Sequence, residues 1–345
     1  PRPTPGRVAR DVPSLSVIVA VHNGEAHLAA KLENLLAQQT RSGFETIVTS
    51  DGSDDGTEAI ARSFAGRGVR LVSHPERAGK EAAQARAVAV ARGDLLVFSD
   101  VTAHLDPGAL EAIVAPFADP EVGAVSSEDS VDSAEGEGLY VRYEMALRRA
   151  ESVASTLVGL SGSFFAVRRE LATPWPSDLA SDFRMGLEAA RRGFRAVSEP
   201  AATARFAVIR DTGAEWRRKV RTIRRGIAVL LAYRELLSPR FGRVAFTLWG
   251  HKVARFTAPF AMIGALWAHL VWAGAAGFAG LPGGLLLLHL SAYLLGVVSL
   301  VWEPVARVGP ARFLGFFLLV NAATLVAWFY HLSGRRAVVW QPTRR

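Results

Sequence analysis

Apolar residues take two different textures along this chain. Up to about residue 100, short β-branched runs alternate with amphipathic stretches, whereas beyond residue 256 the apolar character is nearly continuous. Leu15–Val21 predicts a first buried strand. Across Glu25–Gln39, the residues Leu28, Leu32, Leu35 and Leu36 recur at the spacing of an amphipathic helix. Glu45–Ser50 predicts a second strand, Thr57–Phe64 a helix and Arg70–Ser73 a short third strand. An alanine-rich helix follows over Glu81–Arg92, then a fourth strand over Asp94–Ser99. This alternation predicts an α/β domain with a doubly wound, mostly parallel sheet and short crossovers. Ligand-facing residues in such a sheet gather beyond the C-terminal ends of its strands. Those ends are Val21-His22-Asn23, Asp51–Asp55 and Asp100-Val101-Thr102.

Three apolar blocks, Phe256–Ala279, Leu285–Trp302 and Phe313–Leu332, form the C-terminal part. Each is about long enough to cross ~30 Å of hydrocarbon at about 1.5 Å per residue. From Thr257 to Gly334 the only formal charges are Glu303, Arg307 and Arg312. Trp267, Trp272, Trp302, Trp328 and Tyr330 are candidate interface anchors. Three full spans would place Arg335, Arg336, Arg344 and Arg345 across the bilayer from the N-terminal domain, against the positive-inside tendency. A block lying in the interface or re-entering is therefore the competing expectation.

Charge is concentrated in one place. Residues 200–256 hold 11 Arg and 2 Lys against Asp211, Glu215 and Glu235, a surplus above the net +8 of the whole chain. Such a belt suits phosphate-bearing ligands or an anionic membrane face. Nucleic acid is the competing partner, but the belt runs directly into the apolar tail. The chain has no cysteine, which excludes disulfides and thiolate metal sites. Neither GxGxxG after the first strand nor GxxxxGK[ST] anywhere is present, so dinucleotide and P-loop readings have no support.

The carboxylates of Asp51-Gly-Ser-Asp-Asp-Gly-Thr57 are costly at a strand end unless they bind something, although a solvated turn with helix-capping acids is the plainer reading. Together with Val19-Ala-Val-His-Asn-Gly24, Arg77-Ala-Gly-Lys80, Val97-Phe-Ser-Asp100 and Ser181-Asp182-Phe183, this run resembles the family 2 inverting glycosyltransferases of GT-A fold. The resemblance covers roughly Ser14–Gly226. It extends to the apolar tail, because the group with C-terminal membrane helices includes cellulose, chitin and hyaluronan synthases and exopolysaccharide transferases.

The resemblance implies a nucleotide-sugar donor, usually UDP-linked, and Mg²⁺ or Mn²⁺ as cofactor. It assigns Asp51 to the uracil, with Val21, His22 and Asn23 lining base and ribose; His22 is otherwise a loop histidine without a role. Lys80 stands near the uridine or its phosphates. Asp100 matches the first acid of the metal-binding Asp-x-Asp, while Thr102 stands where the second acid would be. A hard cation bridging two phosphates needs oxygen ligands and few from protein. Asp182 matches the general base that deprotonates the acceptor hydroxyl; an N-cap aspartate for helix 183–192 is the alternative, and Asp178 is the nearest rival. Arg218 and Arg221, one helical turn apart, match the diphosphate-binding position. Thr222 replaces the tryptophan of processive synthases, which leaves single transfer and polymerisation both open.

The expectation is a GT-A domain (14–205), basic amphipathic interfacial helices (206–255), about three membrane-embedded helices (256–334) and a basic tail (335–345). The enzyme would sit in the inner membrane with its catalytic domain cytoplasmic, moving a sugar from a UDP-sugar donor to a glycan or lipid-linked acceptor for extracellular polysaccharide. Its partners would be the lipid bilayer and either a homo-oligomer or export proteins, with no nucleic acid. A catalytically inactive GT-A scaffold and a basic nucleic-acid-binding membrane protein are the other classes.

Overall fold

The computed structural model describes residues 13–131, 137–206 and 212–334. The basic tail at 335–345 lies outside the described residues. Strand β1 (Leu15–Val21) is buried at every position, as a parallel strand covered on both faces must be. Helix α1 (Glu25–Leu36) buries Leu28, Lys31, Leu32 and Leu35. There follow β2 (Phe44–Asp51), α2 (Thr57–Ser63), β3 (Val69–His74), α3 (Lys80–Val90) and β4 (Leu95–Ser99), close to the sequence expectation. The chain continues through β5 (His104–Leu105), α4 (Ala109–Val114), β6 (Val122–Val131), α5 (Glu137–Ala154), β7 (Phe164–Arg168), α6 (Ser181–Arg191), β8 (Arg195–Phe206) and α7 (Thr212–Ala232).

The eight strands form one sheet in the order β3-β2-β1-β4-β7-β6-β8-β5. Its first four strands are parallel. The other half is mixed: β7 runs antiparallel to both β4 and β6, β6 is parallel to β8, and β5 is antiparallel to β8. Alternate residues of each central strand face opposite layers. Val17, Val19, Leu95 and Val97 enter one core, while Ile18, Leu96 and Phe98 enter the other.

Two consequences of this topology position the site. The chain winds outward from β1 to β3 and then returns to place β4 on the other flank of β1, so the switch point lies between β1 and β4. Because β7 is antiparallel, with Phe164 opposite Ser99, its beginning lies at the end of β4. Residues 160–163 therefore arrive at the same edge as Asp100.

The chain divides into two compact units. One holds the described residues up to 206 together with Val229–Leu248; the other holds 212–228 and those from Trp249 to 334. The apolar region contains three helices long and apolar enough to cross a membrane: Arg243–Ala276, Leu281–Val301 and Gly309–Leu332. Trp267 and Trp272 are exposed on the first of them, and Trp302 is exposed just beyond the second. Trp328 donates its indole N–H to the Phe256 carbonyl at 2.9 Å, fastening the third helix to the first. Gly296 and Gly315 let the second and third helices approach closely, since a Cβ on Gly315 would overlap Ser299 Oγ and lie 3.1 Å from the Gly296 carbonyl oxygen. A Gly315→Val chain should lose about 1–3 kcal/mol to overpacking. Gly264→Val, where a Cβ meets open space, should leave the thermal midpoint of the detergent-solubilised protein unchanged.

Candidate active site

The end of β2 organises the site. Asp51 is 1 % exposed; its Oδ1 accepts the Ala78 N–H at 2.8 Å and its Oδ2 the Gly79 N–H at 2.7 Å. Arg86 lies 3.6 Å from Oδ1. Gly52, at φ +62°, brings the chain so near this loop that a Cβ would stand 2.8 Å from the Arg77 nitrogen. The loop 76–79 is thereby fixed where α3 begins, and its next residue is Lys80.

Lys80 reaches to the end of β4. Its ammonium donates to Asp100 Oδ1 at 2.5 Å and to the Gly162 carbonyl at 3.2 Å, with the lysine side chain 14 % and the aspartate 30 % exposed. Burial alone would lower the Lys80 pKa. The charges of Asp100, Glu81 and Asp182, with the hydrogen bond to Asp100, outweigh it and hold the amine above its ordinary value. Gly162 also borders Asp182: a Cβ there would come within 2.8 Å of Asp182 Oδ2. Ser163 accepts the Asp100 N–H at 2.8 Å and Asp182 the Leu160 N–H at 3.2 Å, both through backbone carbonyls. Lys80, Asp100, Gly162 and Asp182 thus share one edge.

Asp182 sits in the first turn of α6, whose N-cap is Ala180, so capping does not explain it. Its Oδ1 accepts the adjacent Phe183 N–H at 2.8 Å. The helix is held by Glu188, 2 % exposed, which accepts from Arg191, Arg192 and the Tyr233 hydroxyl. Asp178, the rival base, is exposed. Phe164 and Phe165 are core residues, and Phe165 stacks on Phe98 at 4.8 Å between ring centroids.

The loops after β1 and β2 clasp each other. Asn23, at φ 50°, donates to Asp54 at 2.5 Å and accepts the Asp54 N–H at 3.0 Å. Asp55 accepts the N–H groups of Glu25 and Thr57, while Glu25 accepts that of Gly56. Burial would raise the Asp55 carboxyl, but these donors and the Thr57 hydroxyl hold it below the usual range. His22 donates through Nδ1 to the Asp51 carbonyl at 2.8 Å. Val21 is 1 % exposed and its side chain belongs to the core.

Thr102 is half-buried in the turn after Asp100. Arg218 and Arg221 lie on α7 within the second unit. No group of three or more His, Cys, Asp or Glu side chains suited to a metal occurs among the described residues.

Two parts of this edge are not evident from motif reading. Gly162 matters through the Cβ it lacks. Lys31, 2 % exposed, donates to Ser99 Oγ at 2.7 Å and to the Ala103 carbonyl at 2.5 Å. The available signal was a lysine inside the apolar stripe Leu28, Leu32, Leu35.

A parallel half-sheet with its switch point at an acidic edge, completed by an antiparallel strand, is the GT-A glycosyltransferase fold. Residues 16–173 match the model described as glycosyl transferase family 2. The mannosyltransferase PcManGT from Pyrobaculum calidifontis, solved with GDP-Man and Mn²⁺, superposes with a TM-score of 0.73 at 26% identity, covering 97% of this chain and 92% of its own. Poly-beta-1,6-N-acetyl-D-glucosamine synthase of Staphylococcus aureus (strain COL) is 24% identical over 233 residues, 64% of this chain and 56% of that protein. Putative glycosyltransferase EpsH of Bacillus subtilis (strain 168) is 32% identical over 105 residues, 30% of either chain. The chain therefore spans at most a little over half the length of these two curated relatives.

Asp51→Ala should strand two buried N–H groups at about 1–3 kcal/mol each, seen as a lower unfolding midpoint and faster hydrogen exchange at 78–80. Burial lowers the Lys31 pKa to about 7, against a partial upward pull from Asp100. Above that value the folded chain has released a proton that the unfolded chain still holds, so stability gains from this residue as pH rises toward the ordinary lysine range. Lys31→Met should flatten that rise in unfolding midpoints measured across the same interval.

Proposed function

We propose that the chain is a membrane-bound inverting glycosyltransferase that moves a sugar from a nucleotide-sugar donor to a glycan or lipid-linked acceptor, in extracellular polysaccharide synthesis. The observation that carries this reading is the convergence of Lys80, Asp100, Gly162 and Asp182 on one sheet edge. Asp182 takes the proton of the acceptor hydroxyl as its oxygen attacks the anomeric carbon, and the nucleoside diphosphate leaves from the opposite face. The missing side chain at Gly162 lets that carboxylate stand against the backbone that also accepts from Lys80. The Lys80 ammonium balances charge developing on the departing phosphates.

The Asp100 carboxylate offers hard oxygen and is 30 % exposed, which fits a divalent ion shared with the donor. Asp100 would hold that ion, with Thr102 beside it, and Mg²⁺ or Mn²⁺ would supply charge stabilisation to the leaving diphosphate. The resemblance assigns Arg218 and Arg221 to the same diphosphate, an assignment that rests on sequence. Asp51, His22 and Asn23 build the loop pair next to which the base is assigned, and Val21 anchors it from the core. UDP is the donor nucleotide that the family resemblance favours; the GDP-Man complex of PcManGT makes guanosine the alternative. The three long apolar helices favour a multi-pass location in the inner membrane, with the catalytic unit on the cytoplasmic side where nucleotide sugars are made.

The test uses the purified full chain in lipid nanodiscs with labelled UDP-glucose, UDP-N-acetylglucosamine, UDP-glucuronate and GDP-mannose, with Mn²⁺ or Mg²⁺. One donor should release its nucleotide and label a product. Asp182→Asn should lower kcat by about 10²–10⁴-fold with donor affinity within a few-fold. Absence of turnover with every donor, or a variant as fast as the parent, would overturn the reading.

A further inference from the structure

The buried lysine under the Asp100 turn has no part in the chemistry described above. Lys31 occupies a stripe of α1 otherwise made of Leu28, Leu32 and Leu35, where an apolar residue would pack without desolvating an amine. What the amine gains there is specific. One hydrogen bond goes to Ser99 Oγ at 2.7 Å and one to the Ala103 carbonyl at 2.5 Å. Ser99 is the last residue of β4, and Ala103 closes the turn by donating its N–H to the Asp100 carbonyl at 3.1 Å. A single nitrogen therefore ties both ends of the turn Asp100-Val101-Thr102. Lys80 contacts the Asp100 carboxylate itself, whereas Lys31 contacts only the frame that carries it.

We propose that Lys31 is a positioning residue that, by joining Ser99 to Ala103, sets the orientation of the Asp100 turn and thereby the affinity of the site for a divalent cation together with a nucleoside diphosphate. The inference rests on the donor-binding reading given under Proposed function. Groups that orient a metal-bearing carboxylate without touching the metal commonly change metal affinity by about 10–100-fold when removed. Lys31→Met keeps the length and apolar stem of the side chain and removes both hydrogen bonds. Ser99→Ala removes one of them and leaves the Ala103 carbonyl bond in place.

Two measurements on the full chain in nanodiscs test this. Hydrogen exchange over residues 99–104 reads the turn directly, whatever the enzyme does. Calorimetric titration with UDP and with GDP, each with and without Mn²⁺, reads the cation-dependent gain in nucleotide affinity. Lys31→Met should speed exchange in this turn at least ~10-fold while exchange in the strands stays at parent rates. It should also cut the Mn²⁺-dependent gain ~10-fold, with the metal-free affinity within twofold of the parent. Ser99→Ala should show the same pattern to a smaller degree, and the double variant should be no worse than Lys31→Met alone. Unchanged exchange in the turn overturns the inference, as does an unchanged Mn²⁺-dependent gain. A parallel fall of metal-free and metal-dependent affinity also overturns it, since that marks general loosening. If the parent chain binds neither nucleotide, the donor-binding reading itself falls and this role falls with it.

Discussion

A carboxylate taken out of water must find donors for its oxygens or lose its charge, and Asp51 meets that requirement with the backbone of a neighbouring loop. The rest of the site is built outward from that contact. Ala78 and Gly79 are fixed by it, α3 begins at the next residue, and Lys80 is aimed from there to Asp100 and Gly162. Gly162 in turn lets Asp182 come close, since a Cβ there would meet its Oδ2. A single pair of main-chain bonds at the end of β2 is thus the first link in a sequence of contacts that ends at the candidate base. The buried carboxylate of Asp51 serves first as a fastening. Any contact with a nucleotide base is added to a group whose two oxygens are already engaged.

Topology supplies what local contacts cannot. The return of the chain to β4 after three outward strands opens the crevice, and the antiparallel entry of β7 fills its far side with residues 160–163. Had β7 run parallel, those residues would lie at the other end of the sheet. The Asp100 turn is consequently met from three elements: Lys31 from α1, Lys80 from α3 and Ser163 from the approach to β7. That convergence gives a short four-residue turn more restraint than its own backbone could.

Much of the first half of the chain was legible from periodicity. β1 to β4 and α1 to α3 carry uninterrupted apolar runs or clear helical spacing, and their predicted limits fall within a few residues of those observed. Asp100, Asp182 and Lys80 are each marked by strand ends or motif order; Lys80 pairs with Asp100, and Gly162 borders both Lys80 and Asp182. The second half was less legible for physical reasons. β5 has two residues, β8 contains Pro200 and register shifts against β6, and the direction of β7 depends on where a long irregular segment returns. Nothing in local sequence sets that direction. Lys31 hid because a helical stripe is judged by its majority, and Gly162 because a missing side chain leaves no pattern. Trp328, read as an interface anchor, also links two helices through its indole N–H.

The reciprocal bonding between residues 23–25 and 54–57 bears on how such domains could be recombined. Donors and acceptors pass both ways between the two loops, with Asn23 matched to Asp54 and Glu25 to Gly56 and Asp55. A graft that imported one loop from a relative would leave polar groups on the other without counterparts. The two loops therefore form a single hydrogen-bonded cartridge. Any graft of this region must cut the chain outside both of them, before the end of β1 and after the start of α2.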